Sequence, residues 1–165
     1  MLIDVDIIDE TESWTGLPER AEVISIAIRN VEAECFSDGG APSSVSVLLC
    51  DDAKIRQLNR DFRNIDKATN VLSFPSAASP GFPKHLGDLA IAFETVQFEA
   101  RAEAKSLKDH TAHMVVHGML HLLGYDHENS VDADRMEQLE VRILARFGVA
   151  DPYSDTIPIM SSKSK

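Results

Sequence analysis

Cysteine is nearly absent. Two of 165 residues are Cys, at positions 35 and 50, too few for a disulfide framework and without a paired metal spacing. Two reduced core thiols in a cytosolic setting are expected. Long apolar runs are missing too, since none approaches the ~20 residues of a membrane span. The opening MLIDVDIIDE has acids where a signal peptide has a basic stretch. Neither a membrane span nor a leader is expected, and the expected location is the cytoplasm. Basic charge is scarce: 16 Lys and Arg stand against 27 Asp and Glu, for a net charge of −11. That argues against broad, non-specific nucleic-acid binding, which relies on phosphate neutralisation. It leaves room for a local basic patch. Repeats and a domain-splitting linker are also lacking. With 44% hydrophobic and 26% charged residues, the chain has an ordinary globular composition and suffices for one domain with a real core.

Histidine is where the chemistry concentrates. Residues 117–127 read HGMLHLLGYDH. His117 and His121 are four apart, so on a helix they share a face, about 6 Å apart along the axis. Gly124 falls where that helix ends and supplies the left-handed residue that turns the chain back. His127 then swings towards the other two. Three converging imidazoles without an obvious fourth protein ligand fit a catalytic zinc site, which keeps a position for water or substrate.

A lone helical histidine is ordinarily a hydrogen-bonded core or surface residue. Here Met114, Val115, Val116, Met119 and Leu120 make the helix apolar nearly all round, so it should be buried. Buried imidazoles need partners, and an ion satisfies several at once. His113 makes a rival pair with His117. His113 and His121, however, lie about 12 Å apart along the axis, beyond the reach of one ion. His113 should therefore back the site or line a groove. Asp126, in the same turn as His127, is a further candidate ligand or outer partner.

The spacing matches the zinc-peptidase pattern H-E-x-x-H-x-x-G-x-x-H in its three His and its Gly. Gly118 stands where that pattern has Glu, the general base for the attacking water. Ordinary zinc-peptidase chemistry thus lacks its base. A helix-interior Gly costs about 1 kcal/mol relative to Ala. Close packing or an open approach to the metal would each account for it.

Along the chain, Leu2 to Ile8 alternates as a half-exposed strand. A turn with Gly16 and Pro18 follows, then an amphipathic helix over 18–36 and a loop over 37–42. Residues 45–50 form a second strand, and Asp51 caps a helix from 52 or 53. Lys54, Arg56, Arg60, Arg63 and Lys67 outnumber Asp61 and Asp66 there, which by itself reads as a solvated, salt-bridged face. Thr69–Phe74 is a short strand ended by Pro75, and Ser73 lacks the glycine frame of a nucleophile elbow. Residues 75–85 are a loop flanking the site. Residues 86–93 are a strand and 94–105, 107–123 and 130–147 are helices. The first half of the last helix is acidic. The expected class is α+β: a small mixed sheet of about four strands packed with about five helices, in the manner of a zinc hydrolase. Residues 1–150 should form the domain and 151–165 a loosely held tail.

Three segments together carry a resemblance: LNRDFRNIDKATNVLSFP (58–75), LGDLAIA (86–92) and HMVVHGMLHLLGYDH (113–127). With the tail motif DPY at 151–153 they resemble the YbeY family of metal-dependent endoribonucleases, also described as rRNA maturation factors. The resemblance implies three zinc ligands for one ion, at His117, His121 and His127. It also implies a functional arginine at Arg63, next to Phe62 where Tyr is commoner. The implied substrate is ribosomal RNA near the small-subunit 3′ end. The implied partner is the small ribosomal subunit or its assembly proteins.

On this reading the metal polarises a phosphoryl oxygen or acidifies water, and Arg63 stabilises charge building on the phosphate. The proton acceptor stays open among a metal-activated water, the substrate 2′-hydroxyl, Asp126 and His113. A zinc peptidase or amidase with the same ligands is the alternative, against which the missing Glu speaks. A non-catalytic ribosome-assembly protein with structural zinc is another, against which three rather than four evident ligands tells.

Overall fold

Alternation of acids with Ile and Val shapes β1 (Ile3–Asp9), whose Asp4 and Asp6 face solvent while Ile3 is buried. The computed structural model describes residues 3–36, 42–77 and 84–154. After β1 comes a short 3-10 helix (Glu12–Gly16) where the sequence suggested only a turn. It buries Trp14 completely, and the indole N–H finds a partner in the Cys50 carbonyl at 3.0 Å. Helix α1 (Arg20–Cys35) buries Val23, Ile24, Ala27, Ile28 and Val31, the stripe that helical spacing predicts. Strand β2 (Ser43–Cys50) buries Val45, Val47 and Leu49 on one face.

Helix α2 (Asp52–Arg63) starts as expected, with the Asp51 carboxylate accepting from the Lys54 amide at 2.8 Å. It stops at Asn64, which takes the left-handed conformation at φ 61°. Strands β3 (Val71–Pro75) and β4 (Lys84–Ala92) follow, then α3 (Phe93–Ala102), α4 (Leu107–Leu122) and α5 (Ser130–Ala145). The expected loop over 75–85 is shorter at both ends. Pro75 still pairs with Gly87, while Lys84 and His85 pair with Ser43 and Ser44. The rest of that loop, 78–83, lies outside the described residues, as does 155–165 of the expected tail.

The sheet order is β1-β2-β4-β3. The first three strands run parallel, and β3 joins as an antiparallel edge. Alternate residues of β2 and β4 point to opposite faces. Val45, Val47, Leu49, Leu89 and Ile91 meet α1 and α4, with α5 packed behind them. Leu48, Ala90 and Ala92 face the other way, where Ile55 and Leu58 of α2 cover them. Edge strand β3 thus lies between α2 on one face and α4 on the other, and these helices bring the arginine and the histidines. No helix among the described residues is long and apolar enough to cross a membrane.

Candidate metal centre

Helix α4 begins at Ser106, whose hydroxyl accepts from the Asp109 amide at 3.0 Å. It is buried along most of its length. Its end is a Schellman turn: the Gly124 amide reaches the His121 carbonyl and the Tyr125 amide reaches the Leu120 carbonyl, both at 3.0 Å. Gly124 supplies the required positive φ, at 98°. The Asp126 carboxylate then accepts from the Glu128 amide at 2.7 Å and shapes the turn that carries His127 back.

The three imidazoles converge as expected. Ring centroids lie 4.7 Å apart for His117 and His121, 5.2 Å for His121 and His127, and 5.9 Å for His117 and His127. One nitrogen from each ring falls within 4.8 Å of the others. Nε2 of His117 and Nε2 of His121 are 3.1 Å apart. Zn–N bonds of about 2.0–2.1 Å at tetrahedral angles place neighbouring nitrogens ~3.3 Å apart, so this donor set fits a metal ion. Burial, reinforced by His117 and His127, holds the His121 imidazole below its ordinary pKa and keeps its lone pair available. Asp126 lies in the same turn but is not among the clustered donor atoms.

Behind His117 lies a residue that sequence reasoning missed. Glu140 of α5 is 1% exposed. Its Oε2 accepts from Nδ1 of His117 at 2.8 Å and from Nε2 of His113 at 3.2 Å, and its Oε1 accepts from the Tyr153 hydroxyl at 2.6 Å. Burial pushes this carboxyl up, but the bonds from His113, His117 and Tyr153 outweigh it and bring the pKa down to about 2. The signal was present in the sequence. Glu140 sits on the apolar stripe of α5 among Met136, Leu139, Ile143 and Leu144. Read as one of several acids, it did not stand out. His113, 7% exposed, belongs to this buried network and not to the cleft in front of the three histidines.

Two donor groups could therefore hold a metal: His117, His121 and His127, or His113, His117 and Glu140. His117 uses a different nitrogen in each, Nε2 in the first and Nδ1 in the second. In the second, both imidazoles already meet the carboxylate at hydrogen-bonding distance.

In front of the first group opens a cleft of about 520 Å³. Its opposite wall is β3 and Arg63. The Arg63 guanidinium donates to the Ser73 carbonyl and lies 5.3 Å from the centre of the Phe74 ring. The basic segment thus divides. Lys54 pairs with Glu10, Arg56 with Asp66, and Arg60 with Asp61 and Asp66. Arg63 meets no carboxylate among the described residues and turns to the cleft. Ser73 is no free nucleophile, since its hydroxyl donates to the Gly118 carbonyl at 3.0 Å.

Gly118 is explained by close packing. A Cβ there would lie 2.8 Å from Cδ2 of Leu89 and 3.3 Å from Oγ of Ser73 and Cγ2 of Val71. Position 118 therefore points into the sheet. A glutamate placed there would not face the cleft.

The family model described as endoribonuclease YbeY matches residues 9–148. The chain belongs to that family. A relative from Azorhizobium caulinodans, named endoribonuclease YbeY, is 46% identical over 154 residues, covering 92% of this chain and 97% of the relative. One of the same name from a Chelativorans species is 51% identical over 142 residues, covering 84% of this chain and 82% of its own length. A solution structure of TM1509 from Thermotoga maritima aligns with 87% of this chain and 91% of its own, at 23% identity and a TM-score of 0.49. The span matched by the YbeY family model contains Arg63, the three clustered histidines and Glu140, and ends before Tyr153.

Proposed function

We propose that this protein is a zinc-dependent endoribonuclease that cuts single-stranded ribosomal RNA, maturing the small-subunit 3′ end and acting in ribosome quality control in the cytoplasm. One observation carries the reading: three imidazole nitrogens spaced as metal ligands share a cleft with a guanidinium that no carboxylate among the described residues neutralises. The names of the relatives support RNA as the substrate. The partner is the small ribosomal subunit or its assembly proteins. A chain with net charge −11 gains little from general attraction to phosphate, so a scaffold that presents the RNA suits it.

His117, His121 and His127 would hold the ion, His117 through Nε2 because its Nδ1 is engaged by Glu140. Bound zinc supplies Lewis acidity towards a phosphoryl oxygen and acidifies water. Arg63 binds the scissile phosphate from the opposite wall. Its plane is fixed by Phe74 and Ser73, and its remaining N–H groups match two non-bridging oxygens. Charge that builds on those oxygens strengthens both bonds, which lowers the barrier. His113 is too deeply buried to take a proton from a substrate in the cleft. The peptidase alternative lacks its base, because position 118 faces the sheet.

The test is cleavage of a precursor small-subunit rRNA 3′-end fragment, with wild type and His117→Ala purified in parallel. Cleavage by wild type alone, lost with chelator and restored by zinc, supports the proposal. Equal cleavage by both preparations overturns it.

A further inference from the structure

We propose that buried Glu140 and the Tyr153 hydroxyl form an anchor that fixes the tautomer and direction of His117, so that the turn carrying Tyr153 governs how tightly the metal is held. The proposal rests on the metal-site reading above. It concerns residues on the far side of the ligand, away from the RNA.

A carboxylate only accepts hydrogen bonds. Each histidine nitrogen facing Glu140 therefore carries the hydrogen: Nδ1 of His117 at 2.8 Å and Nε2 of His113 at 3.2 Å. With its hydrogen on Nδ1, neutral His117 must carry its lone pair on Nε2. That is the nitrogen 3.1 Å from Nε2 of His121, in the donor cluster. The opposite tautomer would put a hydrogen where the ion binds. A negative charge behind the ring also makes Nε2 a better donor to a metal.

Tyr153 completes the anchor. Its hydroxyl donates to Oε1 of Glu140 at 2.6 Å, which leaves Oε2 to the two histidines. The ring stands edge-on to His113, with centroids 5.6 Å apart at 90°. The turn that delivers it is pinned twice. The Tyr153 amide donates to the Asp151 carboxylate at 2.8 Å, and the Lys105 ammonium donates to the Pro152 carbonyl at 3.4 Å. Glu140 otherwise has no reason to sit on the apolar stripe of α5. A buried charge is a poor stabiliser there compared with a well-packed apolar side chain. What an apolar side chain could not do is accept from the outer nitrogen of a ligand.

The test uses the full chain with Glu140→Gln and Tyr153→Phe. In metal-stripped protein, imidazole ¹⁵N spectra should show His117 protonated on Nδ1 in wild type and mixed in Glu140→Gln. Zinc affinity, read by competition with a chromophoric chelator, should fall about 10- to 100-fold in Glu140→Gln. Tyr153→Phe should lose affinity in the same direction to a smaller extent. The visible spectrum of the cobalt-loaded protein should change in both. Zinc affinity and His117 tautomer unchanged in both variants overturns the proposal while leaving the metal site standing. If Glu140→Gln does not fold, unchanged affinity and spectrum in Tyr153→Phe overturns it. A wild type that binds no divalent ion overturns the metal reading and this proposal together.

Discussion

Gly118→Glu restores the zinc-peptidase motif letter for letter, and the structure says it will fail. The added Cβ meets Cδ2 of Leu89 at 2.8 Å, with Oγ of Ser73 and Cγ2 of Val71 at 3.3 Å. Leu89 is 1% exposed and cannot swing clear. Overpacking of this kind costs about 1–3 kcal/mol. A carboxylate driven between helix and sheet, with no cation to meet it, adds several kcal/mol after relaxation. Replacing a helix-interior glycine returns less than about 1 kcal/mol. The net is a loss of at least about 3 kcal/mol, a large part of the ~5–15 kcal/mol that holds a domain folded. Gly118→Ala adds the methyl without the charge and should cost about 0–2 kcal/mol by the same reasoning. Urea unfolding of wild type and both variants, metal-free, reads these differences. A Gly118→Glu protein with near wild-type stability, or one that gains chelator-sensitive peptide hydrolysis, would refute the claim that position 118 faces the sheet.

Other expectations concern separate parts of the molecule. Arg63→Ala should lower RNA cleavage by about 10²-fold or more while zinc content stays unchanged; Arg63→Lys should restore little, because an ammonium lacks the planar fork. Unaltered cleavage by Arg63→Ala would remove Arg63 from the mechanism. Arg20 beside Asp9 holds that carboxyl below its usual range, so its contribution is complete above about pH 4 and fades as pH falls through the lowered folded value. Urea midpoints of wild type and Asp9→Asn should differ modestly at pH 7 and converge on acidification; a gap that widens in acid contradicts this sign. The Cys50 thiol is fully buried and pushed up to about 12 by burial, so in native protein it should resist alkylation at pH 8 while half-buried Cys35 reacts first. Mass spectrometry of the labelled peptides decides, and equal labelling without denaturant would be the contrary result.

Much of this fold was legible because its signals are local. Period-two alternation marks β1, a carboxylate caps α2 one residue before it starts, and a glycine ends α4 where the apolar run stops. The histidine cluster was legible for the same reason, since its geometry is written within 11 residues, HGMLHLLGYDH. What escaped depends on distant partners. Trp14 sits in an unforeseen 3-10 turn, and its indole N–H donates to the carbonyl of Cys50, far along the chain. The basic segment was half legible: Asp61 and Asp66 lie within it, while Glu10, which pairs with Lys54, is far along the chain. Glu140 is marked in the sequence as an acid on an apolar stripe, but its partner His117 shows only once α5 lies across the back of α4. The order β1-β2-β4-β3 and the antiparallel edge likewise carry no local mark.

Ser73 touches both jaws of the cleft. Its carbonyl receives Arg63, and its hydroxyl bonds the main chain of the histidine helix at Gly118. The guanidinium and the histidine helix are thus both referred to one residue of one strand. To widen or narrow the mouth, one of these two bonds must break.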